Sequence, residues 1–314
     1  MGTRDRLSEI LEIKQRGRRN HTHLQFMSRD LLRQWNASRN DKGCTPEFYP
    51  VRAVTLIEAS TRAWIAQLID AGSPYVENAV NLCKNVKFDL DLVRAIESRV
   101  ITLGDLVAHT VSVNNLDQII SHYEVLLGRP VLPILESTID RWAVEVEGND
   151  AAPIIRDVQE VCRQLAALFV TRHISVHEVA ARPALNVQDV EGYLKATDDF
   201  IAATEWALQD LLYGKTPLTQ GAMTAEAWSK FRAADTDLEL LLGELRVRIG
   251  SDQVRLNLLE ESQRAWLAFR DTQAELFADN ARGGTLAAQL AGMERESLTR
   301  ERIKSLQWYM RVDV

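Results

Sequence analysis

Two side chains in the stretch LFVTRHISVHE, from Leu168 to Glu178, can do proton and phosphate chemistry together: Arg172 and, five positions on, His177. An imidazole titrates near neutral pH, so it can take a proton from a ribose 2'-hydroxyl or give one to a leaving 5'-oxygen. A guanidinium presents a fixed positive fork that holds a phosphate and stabilises the charge developing on it. The pair suffices for RNA cleavage without a metal or a cofactor. His173 stands beside the arginine, where it would hold the RNA or tune the pair.

Five residues at about 100° each leave the two positions about 140° apart around a helix. The pair therefore works best at a helix end, or where two copies of the chain each contribute to one cleft across a dimer axis. The spacing recurs at Arg16 with His21 and at Arg18 with His23, inside the basic run RGRRNHTH, and there it reads as a product of composition. Glu58 and His109 are supporting candidates. Glu58 borders an apolar stripe, where it can orient an arginine or histidine or pair with a surface cation. His109, with Asn114 and Asn115, can line an RNA cleft, although the asparagines also fit helix capping.

The elements that must position these residues are predicted to be helical throughout. Glycine and proline are sparse, and Leu, Ala, Glu, Arg and Gln dominate the long segments. Residues 4 to 36 read as amphipathic arms, and Asn36 to Pro50 as a linker rich in turn formers. A helix from Val51 to about Ala71 carries Val54, Ile57, Trp64, Ile65 and Leu68 on one face, and shorter helices fill residues 73 to 146. Among them, ITLGDLVAHTVSVNNLDQII has the outline of a helix-turn-helix, but Ser112 to Ser121 holds no Arg or Lys to reach bases. The turn GNDAAP starts a helix with Pro153 in its first turn and Ile154, Val158, Val161, Leu165 and Leu168 on one side. That helix delivers Arg172 to its far end. Another runs from Val187 to Tyr213, and GKTPLTQG closes the domain.

The block FVTRHISVHE, with VRAVTLIEASTRAWIAQLIDAGSPYVENAVNLC and RVITLGDLVAHTVSVNNLDQII ahead of it, resembles a HEPN domain. The resemblance covers residues 50 to 215 and implies an all-α bundle in which an Arg-x4-6-His motif cleaves RNA in dimeric toxins and antiviral effectors. It further implies that Arg172 binds the scissile phosphate and that His177 is the acid and base. A non-catalytic module for dimerisation and protein binding is the alternative, with Arg172 capping a helix C-terminus.

The C-terminal third carries a second pattern: Gln263, Trp266, Arg270 and Asp271, then Gly283 and Gly284, then Thr299 and Arg302. It resembles the lysozyme inhibitor LprI N-terminal-like domain over residues 222 to 310, which implies a helical hairpin or bundle. Cysteines that the resemblance leads one to expect are absent, and Ala274 stands at the first of their positions. A cytosolic, repurposed helical domain that binds a protein trigger or an antitoxin is the expectation. Trp266 reads as core beside Leu256, Leu259 and Phe269, and Arg270 and Arg302 as partners of carboxylates.

The formal net charge of -7 excludes a protein that coats nucleic acid along its whole surface. Cys44, Cys83 and Cys162 are far apart and lack metal-ligand spacing, which fits free thiols in a reducing compartment. The first twenty residues hold no apolar core of signal-peptide length, and no window approaches about 18 uninterrupted apolar residues. A cytoplasmic location without membrane partners is expected.

Overall fold

Long runs with few prolines leave nearly every backbone N–H free to close an i to i−4 bond, and the chain takes that route. The computed structural model describes residues 3–15, 21–84, 86, 88–177 and 185–311. Regular structure among these residues is helical, apart from one isolated bridge between Ile139 and Pro153, so the architecture is all-α. The helices are α1 (Thr3–Gln15), α2 (His21–Ser38), α3 (Phe48–Asp70), α4 (Tyr75–Asn78), α5 (Leu90–Glu97), α6 (Leu103–Thr110) and α7 (Leu116–Leu127). They continue with α8 (Leu132–Ser137), α9 (Arg141–Glu145), α10 (Val158–His177), α11 (Val187–Tyr213), α12 (Gln220–Ile249), α13 (Gln253–Ala278) and α14 (Leu286–Arg311). Packing divides the chain into two units, Met1–Gly214 and Lys215–Val314.

In the first unit α3 is the central element, with α2, α6, α7, α10 and α11 all against it. Its Val54, Ile57, Trp64, Ile65 and Leu68 are buried, as their spacing requires. The helix stops where Gly72 takes a left-handed φ of 88°. Helix α6 reaches α3 so closely that a Cβ at Gly104 would collide with the carbonyl oxygen of Ala66. The Gly104 N–H donates to Asp70 Oδ1 at 2.9 Å across the same contact.

The stretch read from sequence as an arm and linker is built into this unit. Ile10 of α1 packs with Leu92, Ala95, Ile101 and Leu106. Leu24, Leu31 and Trp35 of α2 enter the main core, and Trp35 meets Tyr49 edge-on at 5.0 Å. An amphipathic helix of this length has to bury its apolar stripe, and α3 and α11 supply the surface.

Helix α10 starts later than the sequence suggests. Pro153 lies in the bridge to Ile139, and the Ile154 N–H donates to Thr138 O at 2.9 Å, so neither residue is helical. The start is set by Asp157, whose carboxylate accepts from the Glu160 N–H at 3.0 Å.

The second unit consists of three long helices, with α14 packed along both α12 and α13. Leu238, Leu241, Leu242 and Leu245 of α12 and Leu306 of α14 form its apolar centre. Helix α13 packs Leu259 and Trp266 against this centre but buries polar residues more deeply than most of its apolar ones. Its buried residues are Gln263, Arg270 and Ala274, while Val254, Leu258, Phe269 and Leu276 are exposed. Among the described residues no helix is long and apolar enough to cross a membrane.

Candidate functional site

Helix α10 brings Arg172 to the edge of the core. Val161, Leu165 and Leu168 are buried at intervals of four and three, and Arg172 is the next position of the same stripe. Its side chain is half-buried, and among the described residues no hydrogen bond or ion pair engages it. A cation in the last turns of a helix also meets the negative end of the helix dipole. The neighbouring Thr171 hydroxyl donates to Tyr193 Oη at 3.3 Å, tying this end of α10 to α11. His173 is exposed. His177 is the last residue of α10, and its side chain, like Glu178, lies outside the described residues. Arg16 and Arg18 of the two other Arg-x4-His pairs lie outside them as well.

The supporting candidates have partners of their own. Glu58 faces Arg62 one turn along α3 at 3.5 Å. His109 Nε2 is 2.8 Å from Glu9 Oε2 of α1. No hydrogen bond or ion pair links either residue to Arg172. Asn115 caps α7 by accepting from the Gln118 N–H at 2.9 Å, so the capping explanation holds for it.

His109 does line a groove of about 440 Å³ whose walls come from α1, α2, α3 and α6. Arg52 and Arg62 line it together with apolar side chains that include Leu24, Met27 and Leu56. A second cavity of about 560 Å³ opens between the start of α10 and α11, lined by Arg156, Glu160, Gln164, Lys195 and Asp199 among others. Burial pushes the Asp199 carboxyl up to about 6, helped by the charge of Asp198 and opposed by Lys195. Arg172 and His173 line neither space. Sequence reasoning missed Arg52 and Asp199. Arg52 had a faint signal, since Arg52, Thr55, Ala59, Arg62 and Ala63 share one face of α3, but nothing in the chain announces Asp199.

The three cysteines are free thiols, and burial raises Cys83 and Cys162 above the ordinary thiol range, which disfavours the nucleophilic thiolate. Among the described residues no group of three or more His, Cys, Asp or Glu is placed to hold a metal ion.

In the second unit the patterned residues converge. Arg270 of α13 donates to Asp235 of α12 at 2.7 Å and to its neighbour Asp271 at 3.1 Å. Its guanidinium lies 5.0 Å from the Phe231 ring and 5.2 Å from that of Trp266. Arg302 of α14 lies 5.8 Å from the other aromatic partner they share, Trp266, and donates to Ser262 Oγ at 2.8 Å and Gln263 Oε1 at 3.4 Å. Thr299 is fully buried, its hydroxyl donating to Arg295 O at 2.7 Å. Residues 215–306 match the family of the lysozyme inhibitor LprI. No curated protein and no solved structure matches the chain. In this LprI-like unit the patterned residues join the three helices. The expectation that both arginines pair with carboxylates holds for Arg270, whereas Arg302 takes a hydroxyl, an amide and a ring. Burial holds the Arg302 guanidinium below its ordinary range. Trp266 is only partly buried and Phe269 is exposed, so the apolar residues flanking the tryptophan do not all follow it inward. Ala274 is buried where the resemblance leads one to expect a cysteine.

Proposed function

We propose that this chain is a cytoplasmic, metal-independent endoribonuclease of the HEPN kind, acting as a homodimer. Arg172 binds the scissile phosphate, His177 moves the proton, and His173 contacts the RNA beside them. The ribose 2'-oxygen attacks phosphorus as His177 takes its proton. The bond to the 5'-oxygen breaks, and His177 gives its proton to that oxygen. A 2',3'-cyclic phosphate and a 5'-hydroxyl result. The observation that supports this reading is the state of Arg172: a half-buried guanidinium at the end of a core stripe, with no carboxylate to neutralise it among the described residues. Such a group is suited to an anion supplied from outside. Two copies facing each other across a dimer axis would bring both Arg-x4-His pairs to one cleft. An RNA-cutting protein of this kind fits a toxin or antiviral role, with the LprI-like unit sensing a trigger or restraining the nuclease.

The test is cleavage of total cellular RNA in EDTA by the full chain, wild type beside Arg172→Ala and His177→Ala, with the 5' ends of fragments analysed. Cleavage that survives EDTA, leaves 5'-hydroxyl ends and is lost in both variants supports the proposal. Cleavage unchanged in His177→Ala refutes the assignment.

A non-catalytic interaction module is the second reading, favoured by the outward apolar stripe of α13 formed by Val254, Leu258, Phe269 and Leu276. A protein partner on such a stripe would explain why a helix keeps its polar residues inside.

A further inference from the structure

The groove between α1, α2, α3 and α6 has the composition of a binding site. Its space exists because small residues stand where larger ones would fill it: Ala59 and Ala63 on α3 and Ala108 on α6. Apolar side chains, Met27 of α2 and Ile13 of α1 among them, close it from the other side. A volume of about 440 Å³ lies within the range of small-molecule sites, and a mostly apolar lining with a few polar groups is their usual make-up.

Charge decides what fits. The Asp105 carboxylate on the wall is already used, taking Lys14 Nζ at 2.8 Å and the Thr102 N–H at 3.1 Å. His109 is engaged by Glu9, and Arg62 faces Glu58. Arg52 is different. It is half-buried, lines the groove, and among the described residues has no hydrogen bond or ion pair. Ten residues separate it from Arg62, about 15 Å along α3, with Ala59 between them and Ala63 just beyond Arg62.

We propose that this groove binds a small carboxylate with an apolar tail, of the fatty-acid type. Its head group sits on Arg52 and its hydrocarbon lies over Ala59, Ala63 and Ala108. One unpaired guanidinium offers one bidentate fork, which matches a planar monoanionic carboxylate better than a phosphate dianion that needs more donors. The inference is independent of RNA cleavage, since Arg172 and His173 do not line the groove.

Calorimetric titration of the full chain with octanoate and, in parallel, with 1-octanol tests it. Saturable one-to-one binding of octanoate is expected, with octanol at least about tenfold weaker, because it lacks the charge for Arg52. Arg52→Gln should weaken octanoate about tenfold and leave octanol unchanged, with the melting transition retained. Absence of saturable octanoate binding, or octanol binding as tightly as octanoate, overturns the proposal. The comparison of the two ligands on the wild type decides the matter even if the variant fails to fold. Octanoate binding that is equal in wild type and a folded Arg52→Gln protein overturns it as well.

Discussion

Arg270 on α13 donates to Asp235 on α12 at 2.7 Å from a side chain that is itself almost fully buried. A guanidinium inside a small three-helix unit is costly unless its donors are used, and here two carboxylates and two aromatic rings surround it. Asp235 and Asp271 are each about half exposed, so the arrangement lets charge be compensated at the rim and not in the centre.

Replacing Arg270 by Met keeps the volume and removes the hydrogen bonds and the charge. The loss of charge-assisted bonds should lower stability by about 2 kcal/mol, less the part that a better apolar fit restores. Urea unfolding of the full chain followed by circular dichroism checks this, and Arg270→Ala, which also leaves a cavity, should cost more.

Trp35→Ala tests whether the N-terminal stretch belongs to the first unit. Trp35 is completely buried against Tyr49, so its removal should cost about 3–5 kcal/mol. A loss below about 0.5 kcal/mol, as for a surface residue, would mean that α2 is a loosely attached arm.

Asp199 should make stability depend on mild acidity. Its folded carboxyl is raised to about 6 by burial, so between the ordinary carboxylate range and about pH 6 the folded chain binds this proton more tightly than the unfolded chain. The stabilising contribution is complete at low pH and is lost as the pH rises through about 6. Asp199→Asn should therefore be more stable than wild type at pH 7, by on the order of 1 kcal/mol after screening, and nearly equal to it at pH 4. Melting temperatures of both proteins across this range give the answer.

Arg172→Lys separates charge from shape at the proposed RNA site. Lysine keeps the positive charge but loses the fork, so cleavage should fall at least about tenfold. Because no partner engages Arg172 among the described residues, unfolding free energy should stay within about 0.5 kcal/mol of wild type. A stability loss in parallel with activity would instead mark the arginine as structural.

Much of the helical layout was legible in the chain. The face of α3 from Val54 to Leu68 and the extent of α11 follow from apolar spacing at a period of 3.6, because that spacing and the helix geometry are one constraint. The C-terminal pattern from Gln263 to Arg302 was readable too, since it depends on residue identity at fixed intervals.

Other features were settled only by packing. Asp157, not Pro153, starts α10, because a bridge to Ile139 takes the backbone of the proline turn first. The apolar stripe of α2 is legible in the chain, but only packing decides that α3 and α11 receive it and bury Trp35. The burial of Arg270 and Gln263 on α13 also escapes the sequence: hydrophobicity would send Phe269 inward, but Asp235, Phe231 and Arg302 on the adjoining helices offer partners for Arg270, Gln263 and Trp266 instead. The Arg172 and His177 pair stands between the two cases. Sequence gives their types and their separation on one helix, and packing gives the half-buried state of Arg172, because burial depends on which residues distant in the chain arrive beside it.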